Sequence, residues 1–210
     1  NSYFIALCYG STNSNSIVTL IEEIKIQSEL VDLKEGWCYG TENLTKISVS
    51  PKNPRYFCYE NKMIIGKTRI EQNNYDCLVF CVRNIQQIKI PNFFENICSY
   101  SSASCNQLKR VEIPSDSKLQ TIGEYALADT KIESIRIPSS VTFIGDGAFC
   151  YCYHLERISI SNDSKIQAIN KGTFYSSAIK RFRIPSLVTS IGNSAFYLCK
   201  QLEVIEIADD

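Results

Sequence analysis

Residues 137–160 read IPSSVTFIGDGAFCYCYHLERISI, and residues 184–207 read IPSLVTSIGNSAFYLCKQLEVIEI. Ile137-Pro138, Val141, Ile144-Gly145, Ala148-Phe149, Cys152, Leu155, Ile158 and Ile160 all recur as Ile184-Pro185, Val188, Ile191-Gly192, Ala195-Phe196, Cys199, Leu202, Ile205 and Ile207, at an offset of 47 residues. A single globular core asks for different side chains at each depth, so near-identity at a fixed offset points to stacked copies of one unit. Units of a second kind lie between them. Ile113–Ile137 and Ile160–Ile184 share a longer SDSK-type turn and a shortened approach to the strand, so coils of 23 and 24 residues alternate.

The same grammar runs upstream. Ile90-Pro91, Phe94, Ile97, Cys105, Leu108, Val111 and Ile113 make one coil; Ile26, Leu30, Leu33, Leu44, Ile47 and Val49 make another, and Ile21, Ile24 and Ile26 end an earlier one. Within each coil, L-x-x-I-x-I has the alternation of a short strand, while I-G-x-x-A-F-x-x-C spaces apolar residues three and four apart, as a short helix or turn does. The sequence therefore predicts a repeat solenoid with short parallel strands on one face and helical or turn segments opposite, its apolar columns merging into one core. Pro138 and Pro185 suit the end of a strand, where no ladder donor is needed. Gly123, Gly145 and Gly192 are expected to permit tight bends.

These units resemble the BspA-like (Treponema-type) leucine-rich repeats, strongly over about Ile90–Ile207 and loosely over Ile21–Val49. The resemblance implies a leucine-rich-repeat solenoid and a setting similar to bacterial surface adhesins and trichomonad BspA-like surface proteins, with binding to host proteins or cells and no catalytic residue or cofactor. Ser102 and Leu127 stand where the unit has Phe, and Asn170 where it has Gly. The spacing breaks from about Ser50 to Ile85. There Asn53-Pro54-Arg55-Tyr56, Glu60–Ile65 and Leu78–Cys81 resemble a β-hairpin insert found in such arrays. From the residues themselves, Tyr56–Tyr59 and Met63–Ile65 are expected to be strands around a polar turn. Residues 1–210 are thus read as one solenoid segment, with 50–85 as a hairpin insert.

Charge narrows the class of partner. Lysine plus arginine and aspartate plus glutamate are each 22, so no global field favours nucleic acid or an anionic membrane. No apolar run reaches a membrane span. The start, NSYFIALCYG, has neither initiator Met nor basic leader and reads as a soluble segment of a longer protein, with self-association through an exposed end of the stack as one consequence. No phosphate loop, dinucleotide fingerprint or nucleophile elbow is present, and the sole histidine, His154, has no identifiable catalytic partner. The reading is a non-enzyme.

Ten cysteines raise metal and disulfide questions. There is no C-x-x-C pair, so no metal site is expected. Cys105, Cys152 and Cys199 lie two coils apart, roughly 9–10 Å, beyond the ~7 Å Cα limit of a disulfide, and are expected to be a buried column of small apolar residues. Cys58 with Cys77 or Cys81 across the insert stays open. Asn43 and Asn162 head glycosylation triplets.

The outward positions of each strand carry the functional expectation. Between Lys89 and Arg183 they hold Lys89, Arg110, Arg136, Arg157, Arg181 and Arg183 against one acid, Glu112. With strands about 4.8 Å apart, these make a basic stripe suited to an acidic protein segment or a sulfated glycan. Ordinary solvation, with Glu133 and Glu156 pairing nearby arginines, is the plain alternative. The function expected is adhesion or protein recognition by a cell-surface or secreted module, with an intracellular, cytoplasmic scaffold as the alternative.

Overall fold

In the computed structural model, residues 21–38 and 40–207 are described. In chain order the strands are β1 (Glu23–Ile26), β2 (Lys46–Val49), β3 (Tyr56–Tyr59), β4 (Met63–Gly66), β5 (Cys77–Cys81), β6 (Gln87–Lys89), β7 (Asn96–Ile97) and β8 (Arg110–Glu112). They continue as β9 (Thr121–Ile122), β10 (Ser134–Ile137), β11 (Phe143–Ile144), β12 (Arg157–Ile160), β13 (Ala168–Ile169), β14 (Arg181–Ile184), β15 (Ser190–Ile191) and β16 (Val204–Ile207). Strands β1, β2, β6, β8, β10, β12, β14 and β16 are the L-x-x-I-x-I segments, and they form the first face of a β-solenoid. Their parallel pairing is in repeat register: Ile135 lies opposite Ile158, and Phe182 opposite Ile205. In β1 and β10 outward residues alternate with buried ones, as period-two patterning requires.

One hydrogen-bond column runs along that face from Gln86 to Glu203. Lys109, Glu133, Glu156, Lys180 and Glu203 each donate their N–H to the carbonyl of the equivalent residue one coil back, from Gln86 onward. The bonds are 2.9–3.1 Å within the pairs β6–β8, β10–β12 and β14–β16, and stretch to 3.4 Å between β8 and β10 and between β12 and β14. Both stretches fall where the chain has come through a 24-residue coil, the kind with the shortened approach to the strand.

The opposite side corrects the helical expectation, for no helix occurs among the described residues. Five coils instead repeat a pair of left-handed residues four apart: Tyr100 and Ser104, Tyr125 and Asp129, Gly147 and Tyr151, Gly172 and Ser176, Ser194 and Leu198. A right-handed helix cannot pass through such positions. Tyr125, Leu127 and Asp129 donate to Asp146, Ala148 and Cys150 of the next coil, while the intervening Ala126 and Ala128 donate three residues back to Gly123 and Tyr125. Tight turns thus place residues three and four apart on one inner face, the spacing a helix would also give.

The glycine expectation is likewise corrected. Gly123, Gly145 and Gly192 have no left-handed φ; each lies against the backbone of the preceding coil. A Cβ on Gly145 would sit 2.6 Å from Glu124 N and 2.8 Å from Gly123 C. Here glycine provides closeness rather than bending, and its N–H donates to Ile122 O at 2.8 Å. Where Asn170 takes the glycine's place, the second ladder stops: β7–β9–β11 pair in series, but β13 pairs only with β15. The Asn170 side-chain amide donates instead to Ile144 O at 2.7 Å, and Asp146 accepts from Lys171 N–H.

Residues 56–81 extend this second face. Strands β3, β4 and β5 are antiparallel, and β5 then pairs in parallel with β7, giving the mixed order β11-β9-β7-β5-β4-β3. The core is continuous from Ile24 to Ala195. Toward its C-terminal end Phe149, Phe174 and half-buried Phe196 stack with ring centroids 5.6 and 5.4 Å apart.

Candidate interaction surface

The strand face places the basic residues on adjacent rows. Gln87 lies opposite Arg110, Ser134 opposite Arg157 and Arg181 opposite Val204; one row over, Lys89 lies opposite Glu112, Arg136 opposite Ser159 and Arg183 opposite Glu206. All six basic side chains are exposed. Their surroundings divide them. Arg110 is 3.9 Å from Glu112, and Arg181 donates to Glu206 at 2.6 Å. Among the described residues, no carboxylate lies within ion-pair distance of Lys89, Arg136, Arg157 or Arg183. Glu156 pairs with Lys180 at 2.8 Å, not with an arginine, and that hydrogen bond holds its carboxyl below the usual range. The unpaired subset therefore centres on Arg136 and Arg157, which face serines.

The cysteine column is buried at Cys105 and Cys152 and half-buried at Cys199. It is not simply apolar, which refines the expectation. Cys152 donates to Leu127 O at 3.2 Å and Cys199 to Phe174 O at 2.9 Å, with Thr130 and Ser177 touching the two sulfurs from the alternate coils. Alternating thiols and hydroxyls thus satisfy carbonyls that turn inward. The nine described cysteines are all free, Cys58, Cys77 and Cys81 among them. Burial pushes the Cys152 thiol up to about 11. No group of three or more metal-ligating side chains occurs among the described residues.

His154 is exposed, as are Asn43 and Asn162, although Ser164 of the second triplet is buried with its hydroxyl accepting from Ile166 N–H. Arg83 escaped the sequence reading. It is buried over the Phe80 ring at 4.7 Å and donates to Cys38 O, Thr41 O and Ala103 O at 3.0, 3.2 and 2.5 Å. Following β5, it ties the 50–85 stretch to coils on both sides. No periodic signal marks it, because it belongs to the interruption.

The repeat signature described as "BspA type Leucine rich repeat region" matches residues 73–203 in 6 copies, more than half of the chain. The chain belongs to the BspA-type leucine-rich repeat proteins. Among solved structures, a leucine-rich repeat protein from Eubacterium ventriosum superimposes with a TM-score of 0.71 at 19% identity, covering 88% of this chain and 48% of its own. A leucine rich cell surface protein from Faecalibacterium prausnitzii gives 0.60 at 21% identity, covering 90% of this chain and 48% of its own. The pneumococcal vaccine antigen PcpA gives 0.56 at 23% identity over 59% of this chain and 31% of its own. The BspA-type chain thus spans at most about half the length of these three, and at such identities the likeness concerns the fold. No curated protein matches it in sequence.

Proposed function

We propose that this BspA-type chain is a recognition module of a cell-surface or secreted protein, binding a host protein segment or acidic glycan through the basic strand face. The observation that carries the proposal is the array on the successive pairs β6–β8, β10–β12 and β14–β16: Lys89, Arg136, Arg157 and Arg183 are exposed on it, and among the described residues none has a carboxylate within ion-pair distance. Arg110 and Arg181 take part as already paired cations. Each contact is weak alone, but strand spacing fixes the charges before binding, so their contributions add without a large ordering cost. The folded array uses this face for complementarity rather than chemistry.

The test is binding of wild type and the Arg136→Glu/Arg157→Glu/Arg183→Glu variant to heparin and an acidic-peptide array at two salt concentrations. Salt-sensitive binding that the folded variant loses supports the face; equal binding by both rejects it. A second reading, an intracellular scaffold, is favoured by the use of the thiols: Cys152 and Cys199 each serve a carbonyl as free cysteines, chemistry suited to a reducing compartment. Fractionation of native cells with an antibody to this chain separates the two.

A further inference from the structure

On the turn side lies a groove of about 860 Å³ whose walls are Tyr100, Tyr125, Tyr151 and Tyr153, with Glu35, Glu124 and Asp129 around them. Among the described residues, no lysine or arginine lines it. It is a composite of distant segments: Gly36 lies against the Tyr100 ring, and Ser99 Oγ donates to Glu35 Oε1 at 3.1 Å across 64 positions of sequence. Tyr100 and Tyr125 stack at 5.2 Å, while Tyr151 meets Tyr153 at 6.1 Å and Tyr175 at 5.3 Å. Exposure is 36% for Tyr125, 42% for Tyr151 and 60% for Tyr153.

Two features show that this wall has a defined shape. Tyr100, Tyr125 and Tyr151 occupy left-handed backbone positions, with φ of 60°, 50° and 59°, a conformation costly for bulky side chains. Gly147, the next residue in the column of Tyr100 and Tyr125, leaves the space into which the Tyr125 ring lies; a Cβ there would be 2.5 Å from that ring. The Tyr125 ring is thus packed between Tyr100 and Gly147, and Tyr151 and Tyr153 are the more exposed phenols of the wall.

From this arrangement we infer that the groove is a second recognition surface, on the side away from the basic strands, and that it takes an extended peptide segment carrying arginine or lysine. Charge complementarity selects this occupant. Three carboxylates without a lining cation attract a positive chain, and phenol faces bind guanidinium and ammonium groups through their quadrupoles. Arginine stacks better than lysine on such faces because its guanidinium is planar and less strongly hydrated.

The probe is a fluorescein-labelled Gly-Arg-Gly-Arg-Gly-Arg-Gly peptide, with its lysine and glutamate counterparts, followed by anisotropy at low and physiological salt. Wild type is expected to bind the arginine peptide more tightly than the lysine peptide, and not the glutamate peptide. Tyr151→Ser/Tyr153→Ser should weaken arginine-peptide binding roughly fivefold to twentyfold, from two lost cation–π contacts. Glu124→Gln/Asp129→Asn should weaken it and flatten its salt dependence. Glu133→Gln/Glu203→Gln removes the same charge from the strand face and should leave binding unchanged. Circular dichroism checks that each variant is folded. Absence of binding, equal loss in the strand-face control, or undiminished binding by the tyrosine variant overturns the inference. Concentration-dependent self-association abolished by the tyrosine variant also overturns it, assigning the groove to a second copy of the chain.

Discussion

Replacing Gly145 by alanine places a methyl group 2.6 Å from Glu124 N and 2.8 Å from Gly123 C, where ordinary contact begins near 3.4 Å. Both obstacles are backbone in a packed ladder, so relief requires the two coils to part by about 0.8 Å, a large displacement in a close-packed interior. Parting them breaks the 2.8 Å bond from Gly145 N–H to Ile122 O. Losing that bond costs about 1 kcal/mol net, and leaving the buried carbonyl without a donor adds about 1–3 kcal/mol. The expected destabilisation is about 2–4 kcal/mol. Asn170 supplies an internal control: at the equivalent position the backbone ladder is absent and the side-chain amide serves Ile144 O. Gly145→Asn should therefore recover about 1 kcal/mol or more relative to Gly145→Ala. Urea unfolding followed by both circular dichroism and Trp37 fluorescence measures the order, two probes being needed because repeat arrays lose stability coil by coil. An alanine variant as stable as wild type, or an asparagine variant no better than alanine, would refute the close-approach account.

Four further outcomes follow from named contacts. Phe174→Ala empties the middle of the three-ring stack at a fully buried position and should cost about 3–5 kcal/mol, read by the same unfolding experiment. Arg83→Lys replaces a planar fork serving three carbonyls with one ammonium; a loss of about 1–3 kcal/mol is expected, and retention of wild-type stability would show that the fork is dispensable. Burial raises the Cys152 thiol from 9.0 to about 11, so its contribution to stability is full below pH 9 and declines as pH rises toward 11; in native protein at pH 8, a thiol reagent should modify half-exposed Cys58 well before Cys152. Glu156, lowered by its bond to Lys180, should titrate upward toward the ordinary glutamate range in Lys180→Ala, as followed by its side-chain NMR shift; the small favourable interaction is present above the unfolded value and fades as pH falls through the folded one.

Much of the coil was legible because it is written in every copy. The outward and inward positions of β10 follow directly from Ile135 and Ile137 alternating with Ser134 and Arg136. The segment after Ile144 was ambiguous for a physical reason: Gly145, Ala148, Phe149 and Cys152 have the spacing of a helix face, and a chain of tight turns with left-handed residues at 147 and 151 produces the same inner face. Tyrosine at 151 gives no local warning of that conformation, which the stacked coil enforces through hydrogen bonds such as Tyr151 N–H to Tyr175 O. The basic rows were readable, but their neutralisation was not, since Arg181 meets Glu206 only when β14 and β16 register.

The sequence by itself determined the length and alternation of the coils, the columns of Ile, Leu and Phe that form the core, and the membership of the strand rows, because each is set by spacing within one unit. Tertiary structure decided which charges are paired, why Gly145 must be glycine, how β5 enters the second sheet and how Glu35 reaches the tyrosine wall. Those outcomes depend on distances between coils. Stacking creates such distances by burying apolar surface that no single coil can cover, and no one copy of the repeat contains them.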